Sequence, residues 1–138
     1  QTALEIDPNN AMSYNDIGFL YYKKNMLDKA ILELNKSIRL NTDRLAMTYA
    51  YYHLGLVYLK KKMKDEAIAS FQKSIKLDEF YIPAHYQLAI VYKNTDEFIL
   101  SLKMFDKCIS LNPNSKYAAK AKEQIKKLNL ILKEEVEN

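Results

Sequence analysis

The chain has 138 residues, the length of one ordinary domain and enough to bury a core without disulfides or metals. It contains only 2 Gly and 3 Pro, which disfavours a β-sandwich or barrel with many tight turns. A hydrophobic content of 49% disfavours disorder. Because Lys, Leu, Ala and Glu predominate over Val and Thr, we expect an all-α protein.

The formal charge is +4, from 21 basic and 17 acidic residues, which is mild for a chain of this size. Most of the middle lysines form the run Lys60, Lys61, Lys62 and Lys64, which is typical of a solvated loop edge. The longest uncharged stretch, residues 45–59, is shorter than the roughly 20 apolar residues of a bilayer span. We therefore predict a helix with two apolar faces there and no membrane insertion.

A single cysteine, Cys108, excludes an internal disulfide, and no Cys or His cluster has the spacing of a metal site. We expect no cofactor. One cysteine does not determine the redox compartment, and we take a reducing cytoplasm as the default localisation. The chain begins without Met and without a basic, apolar signal segment, so we expect a fragment or a processed form of a longer protein.

One pattern recurs three times along the chain, at spacings of 37 and 34 residues. Each copy begins with a large residue, Tyr or His, which is followed by Ile or Leu, then by a small residue, and then by Tyr. Later in each copy, a second small residue precedes Leu or Phe. Small residues allow two antiparallel helices to approach closely, and the aromatic rings fill the remaining space. The recurring residues, in chain order, are Tyr14, Ile17, Gly18, Tyr21, Ala30 and Leu34, then Tyr51, Leu54, Gly55, Tyr58, Ala67 and Phe71, then His85, Leu88, Ala89, Tyr92, Ser101 and Phe105.

This pattern resembles the tetratricopeptide repeat (TPR) family, whose unit of about 34 residues reads W-x2-L-G-x2-Y, then A-x3-F, then P. Tyr14, Tyr51 and His85 stand where the family motif has Trp, and Pro113 matches its closing Pro. The resemblance covers about residues 1–115. It implies a right-handed superhelical solenoid of about three tandem helix-turn-helix repeats with a C-terminal capping helix.

The predicted elements form a single TPR domain, in which residues 1–10 end a preceding repeat. Thr42 or Asp43 is expected to cap the first helix of the second repeat, which starts about one turn early because of a three-residue insertion. The last helix carries one apolar stripe, formed by Ala121, Ile125, Leu128, Leu132 and Val136. The predicted parts are repeat 1 at 11–47, with helices at about 11–24 and 28–40; repeat 2 at 48–81, with helices at about 45–61 and 65–77; repeat 3 at 82–115, with helices at about 82–94 and 98–111; and the capping helix within 116–138.

No catalytic constellation is present in the sequence. His53 and His85 lie at different phases of different repeats, and no phosphate-binding loop or hydrolase motif occurs. Cys108 lies at a small core position of a second helix and is predicted to be packed and inert. We therefore expect the protein not to be an enzyme.

The resemblance implies that the first helix of each repeat lines a concave groove. An apolar face on such a helix is typical of a partner site, and Tyr is a residue that interfaces favour. Packing between neighbouring first helices, or coverage by the chain's own last helix, is the alternative explanation. His53 either senses pH or forms a neutral hydrogen bond. The candidate groove residues are Phe19, Tyr22, Tyr49, Tyr52, His53, Leu56, Leu59, Tyr86, Gln87 and Ile90.

These observations predict a non-catalytic scaffold that binds an apolar or aromatic peptide segment of a partner protein in its groove. Family members that hold the acidic tail of heat-shock chaperones use a clamp of Lys, Asn and Arg. At the clamp positions this chain has Asn15, Phe19, His53, Pro83 and Gln87, so a co-chaperone of that type is not expected. The alternative is self-assembly or a structural spacer role through the solenoid ends. The third possible function, ranked after these two, is nucleic-acid binding by lysines interleaved with Tyr.

Overall fold

A computed structural model of the chain describes residues 9–138, so nearly all of the predicted end of a preceding repeat, residues 1–10, lies outside the described residues. The described residues form seven helices and no strand, which confirms the all-α prediction, and each helix begins and ends within one residue of its predicted position. The helices are α1 (Ala11–Lys23), α2 (Leu27–Leu40), α3 (Arg44–Lys60), α4 (Lys64–Leu77), α5 (Ile82–Asn94), α6 (Phe98–Leu111) and α7 (Lys116–Glu137).

The chain forms two compact units. Unit 1 extends to Glu79, and within it α3 packs against α1, α2 and α4, while α1 also packs against α2. Unit 2 spans Phe80–Asn138, and within it α5, α6 and α7 all contact one another. Each unit is therefore built from helices that pack on their neighbours along the chain, and the predicted repeat boundaries stay a prediction.

Two glycines allow the helix pairs of unit 1 to approach closely. A Cβ atom at Gly55 would lie 2.4 Å from a carbon of the Phe71 ring, and a Cβ atom at Gly18 would lie 2.6 Å from Leu34 Cγ. Phe71 and Leu34 are completely buried, so neither can move out of the way. The small residue of the motif is thus required by the packing of the second helix on the first.

Buried serines tie each second helix of unit 1 to the start of its first helix. The Ser37 hydroxyl donates to the carbonyl oxygen of Ala11 at 2.7 Å, and the Ser74 hydroxyl donates to the carbonyl oxygen of Thr48 at 2.8 Å. Both serines are fully buried, so each hydrogen bond satisfies a hydroxyl that water does not reach, by a carbonyl oxygen that also accepts its helical amide. At the same place in the third repeat, the chain has the buried Cys108.

The turns within the three helix pairs share one backbone conformation. Asn25, Lys62 and Asp96 adopt the left-handed region, with φ angles of 60°, 61° and 61°. In each turn the amide of the following residue returns to a carbonyl oxygen near the end of the first helix, as Met26 does to Tyr21 at 2.8 Å. The sequence pattern did not predict these turns, because none of the three residues is glycine.

Helix α3 starts one turn early, as predicted from the insertion, and has 17 residues against 13 in both α1 and α5. Asp43 is its N-cap, and the Asp43 carboxylate accepts hydrogen bonds from the amides of Leu45 and Ala46 at 3.0 and 3.2 Å. Of the two predicted capping residues, Asp43 is therefore the one that caps.

Helix α7 covers the helices of unit 2 with its apolar stripe. Ala121 and Leu128 are completely buried in a cluster with Phe105 and Cys108. The predicted stripe is too long, however, because the Val136 side chain is 87% exposed. Among the described residues, no helix is both long and apolar enough to cross a membrane.

Candidate functional site

Four rings from α1 and α3 lie side by side in unit 1, and we call this group the aromatic face. The Phe19 ring stacks on the His53 ring, with centroids 4.3 Å apart and planes 22° apart. Tyr22 extends the group at 5.8 Å from Phe19, and Tyr52 extends it at 5.6 Å from His53. All four residues are half-buried, and all four are among the predicted groove residues.

A buried amide fixes the orientation of the central imidazole. The Nδ1–H group of His53 donates to the side-chain oxygen of Asn15 at 2.8 Å, and only 2% of Asn15 is exposed. The Asn15 nitrogen in turn donates to the Asp16 carboxylate at 3.5 Å. Because one ring nitrogen is held as a donor, the ring keeps a fixed face toward Phe19.

Burial lowers the pKa of His53 from 6.5 to about 4, since the protonated ring would lose its hydration. The imidazole is therefore neutral at physiological pH. Of the two predicted roles of His53, the neutral hydrogen bond is the one this geometry supports. A neutral, stacked imidazole adds to the apolar character of the face and does not attract anions.

Two lysines lie over the rings of the aromatic face. The Lys60 ammonium is 4.4 Å from the centroid of Tyr22, and the Lys23 ammonium is 4.9 Å from the centroid of Phe19. Both contacts are within the range of a cation–π interaction. Burial also raises the pKa of the Tyr22 phenol above its ordinary value, so Tyr22 stays protonated beside Lys60.

The other predicted groove residues of unit 1 all belong to α3. Tyr49, Leu56 and Leu59 are half-buried. The Tyr52 ring lies 5.8 Å from the completely buried Phe71 ring, so Tyr52 supports the core in addition to facing His53. Phe19 and Leu56 do not belong to the core cluster of unit 1 or to the side chains packed on it, whereas Tyr22 is packed on it.

In unit 2 the predicted groove residues are partly covered by the last helix. The Tyr86 ring lies 5.5 Å from the ring of Tyr117 on α7, and Tyr86 and Ile90 pack on the core cluster that α7 helps to form. Burial raises the pKa of Tyr86, an effect that a hydrogen bond with Gln124 of α7 partly offsets. Coverage by the chain's own helix, the alternative explanation, thus applies to Tyr86 and Ile90. Gln87 is half-buried on α5.

The described residues include no group of three or more His, Cys, Asp or Glu side chains that could hold a metal ion. Cys108 is buried, and burial raises the pKa of its thiol to about 12. The reactive thiolate is therefore scarce at physiological pH, and Cys108 is a core residue. Sequence reasoning missed Asn15 as the partner of His53, because the two residues are 38 positions apart and no local pattern joins them.

Comparisons with known proteins agree with this architecture. Residues 9–137 match the profile of the YfiO family, which is described as "Outer membrane lipoprotein". A comparison with curated proteins finds no significant match.

Solved structures share the fold. The first TPR domain of human RPAP3 superposes with a TM-score of 0.78 at 17% identity, covering 96% of this chain and 99% of that one. The first TPR of Spaghetti (RPAP3), bound to the HSP90 peptide SRMEEVD, gives a TM-score of 0.76 at 17% identity, covering 94% and 98%. The MamA protein superposes with a TM-score of 0.69 at 28% identity, covering 92% of this chain and 70% of that one. The chain thus has the TPR fold, and it belongs to the YfiO family of proteins described as outer membrane lipoproteins.

Proposed function

We propose that the protein is a non-catalytic scaffold whose aromatic face in unit 1 binds a segment of a partner protein through apolar or aromatic side chains. The observation that carries this proposal is the stack of Phe19 on a neutral His53, flanked by Tyr22 and Tyr52, all half-buried. Aromatic side chains that stay partly in water are enriched at protein interfaces and supply much of their binding energy.

Electrostatics favour an apolar segment over an acidic one at this face. His53 is neutral and adds no positive charge to the face, which carries Lys23 and Lys60 over the rings of Phe19 and Tyr22. The Spaghetti domain is bound to an HSP90 peptide that ends in acidic residues, but that likeness, at 17% identity, concerns the fold. Here Asn15, Phe19 and His53 stand where the chaperone-binding clamp has its Lys and Asn residues. A free carboxylate would therefore lose its hydration without gaining the set of Lys and Asn donors that holds it in those family members.

Affinity capture from a lysate of the source cells tests the proposal. The bait is the full chain, and a second bait carries Phe19→Gln and Leu56→Gln. These two residues are suitable because neither packs on the core cluster of unit 1. Because the family is described as outer membrane lipoproteins, the lysate includes a detergent-solubilised membrane fraction.

A matched control carries Leu20→Gln and Leu32→Gln, which remove side chains that are 46% and 52% exposed. All three baits are first checked for equal helicity by circular dichroism. The proposal predicts a protein that the original chain and the control retain and that the Phe19/Leu56 variant loses. Equal capture by all three baits, or loss with the control as well, would overturn the proposal.

Self-association is the alternative, and the exposed apolar residues of α7 favour it. Leu130 is 62% exposed and Val136 is 87% exposed. Sedimentation velocity over a range of protein concentrations separates the two functions. A mass that grows with concentration, and that returns to the monomer after Leu130→Gln and Val136→Gln, would favour self-assembly over the scaffold.

A further inference from the structure

A cleft lies in unit 1, between the first turns of α3 and the last turns of α4. Its volume is about 370 Å³, within the range of small ligand pockets. Met47, Tyr51 and Leu77 supply apolar atoms, and three cations complete the lining. We call this space the cationic cleft, and its lining residues are Arg44, Met47, Tyr51, Lys73, Lys76 and Leu77.

The additional first turn of α3 supplies part of the lining of this cleft. Arg44 is the first residue of α3 and belongs to the additional turn that makes α3 longer than α1 and α5. The Arg44 Nε–H group donates to the carbonyl oxygen of Leu77, the last residue of α4, at 2.8 Å. This hydrogen bond fixes the guanidinium at the edge of the cleft and leaves its two terminal NH₂ groups to meet a ligand.

The positive charge of the cleft has no acidic counterpart among its lining residues. In the first repeat, the equivalent lysine, Lys36, is 3.1 Å from the carboxylate of Glu33. The second repeat has Ser70 at the place of Glu33, so Lys73 lacks this carboxylate, although both lysines lie over the equivalent ring: Lys36 is 5.7 Å from the Tyr14 centroid and Lys73 is 5.4 Å from the Tyr51 centroid. Carboxylates lie in two adjoining clefts: Asp78 lines one that shares Arg44 and Leu77, and Glu66 lines another that shares Tyr51 and Lys73.

Stabilisation of the helix end explains only part of this arrangement. Cations at the carboxyl end of a helix offset the helix dipole, which accounts for Lys76 and for the hydrogen bond of Arg44 to Leu77. Lys73 lies one turn earlier, and a dipole effect requires no apolar cleft beside it. Three cations around apolar atoms match a ligand that carries both negative charge and an apolar group.

We propose that the cationic cleft binds an acidic segment of a partner protein. Carboxylates of the segment contact Arg44, Lys73 and Lys76, and an apolar side chain next to them packs on Met47 and Leu77. A guanidinium held at one nitrogen is pre-oriented, so it gives up little conformational entropy when it forms paired hydrogen bonds with a carboxylate.

This site is separate from the aromatic face. The cleft is lined by Tyr51, whereas the aromatic face uses the next two residues of α3, Tyr52 and His53, and the two sets of residues have no member in common. Failure of one proposal therefore leaves the other intact, and a reporter at each site distinguishes them.

The test uses the full chain with ¹³C-labelled methionine methyl groups and records the Met47 signal by NMR. The probes are the peptide acetyl-ELEEL with a free carboxyl end and its neutral counterpart, acetyl-QLQQL-amide. We expect a saturable shift of the Met47 signal with the acidic peptide and at least about tenfold weaker binding of the neutral one. The His53 ring signals report on the aromatic face and are expected to stay unchanged.

Two double variants with the same loss of charge complete the test. Lys73→Gln with Lys76→Gln is expected to weaken the acidic peptide about tenfold, since two partly exposed charge pairs are lost. Lys64→Gln with Lys107→Gln changes exposed lysines outside the cleft and is expected to leave the affinity unchanged. An unshifted Met47 signal, equal binding of both peptides, or equal weakening by both double variants would overturn the proposal. A shift of the His53 signals in place of Met47 would also overturn it.

Discussion

Acidification is expected to destabilise unit 1 through His53. Burial lowers the pKa of this imidazole from 6.5 to about 4, which corresponds to about 3 kcal/mol of differential interaction between its two protonation states. The unfolded chain takes up the proton near pH 6.5, whereas the folded chain resists it down to about pH 4. The stabilisation is therefore fully present above pH 6.5 and is lost as the pH falls toward 4.

Half-way through this window, at about pH 5, the free energy of unfolding is expected to be about 2 kcal/mol lower than at pH 8 on account of His53 alone. The comparison protein is the His53→Gln variant, which has no imidazole at this place. His85, the other histidine, is present in both proteins, so its contribution cancels in the difference. The assay is urea unfolding, followed by circular dichroism at constant ionic strength, of both proteins at both pH values.

An NMR titration of the His53 ring gives the pKa directly and separates it from that of His85. A His53 ring that titrates near 6.5 would refute the argument from burial. An unfolding difference between the two proteins that is the same at pH 8 and pH 5 would refute it as well.

Three further predictions concern packing. Gly55→Ala is expected to lower the free energy of unfolding by about 1–3 kcal/mol, because its Cβ would overlap the buried Phe71 ring; unchanged stability in urea would contradict this. Ser74→Ala is expected to cost about 0.5–1.5 kcal/mol in the same assay, because the carbonyl oxygen of Thr48 loses the buried hydroxyl that donates to it in addition to its helical amide; a neutral effect would count against it. Cys108 is expected to react with a thiol reagent only after unfolding, and rapid reaction of the folded protein at neutral pH would contradict its raised pKa.

The positions of the helices were predictable because the small and large residues that pack one helix on the next recur periodically along the sequence. The recurrence of Gly18 at Gly55 and of Leu34 at Phe71 marks a helix crossing, and the crossing fixes which residues must be small and which large. The early start of α3 was also predictable, since three additional helix-forming residues follow the capping residue Asp43.

The environment of the candidate site was less predictable, because it depends on side chains that the fold brings together from distant positions. The hydrogen bond between Asn15 and His53 joins residues 38 positions apart. The place of Tyr117 beside Tyr86 depends on the path of α7 across unit 2, which an apolar stripe does not determine. The hydrogen bond of Arg44 to the Leu77 carbonyl oxygen likewise has no local sequence signal.

Site-specific photo-crosslinking in the source cells tests the central claim most directly. Benzoylphenylalanine replaces Leu56 beside the aromatic face in one version of the full chain and the exposed Leu32 on α2 in the other. The scaffold account predicts a covalent adduct with a different protein from position 56 and a much weaker one from position 32. Equal adducts from both positions, no adduct from position 56, or an adduct with a second copy of this chain alone would contradict it.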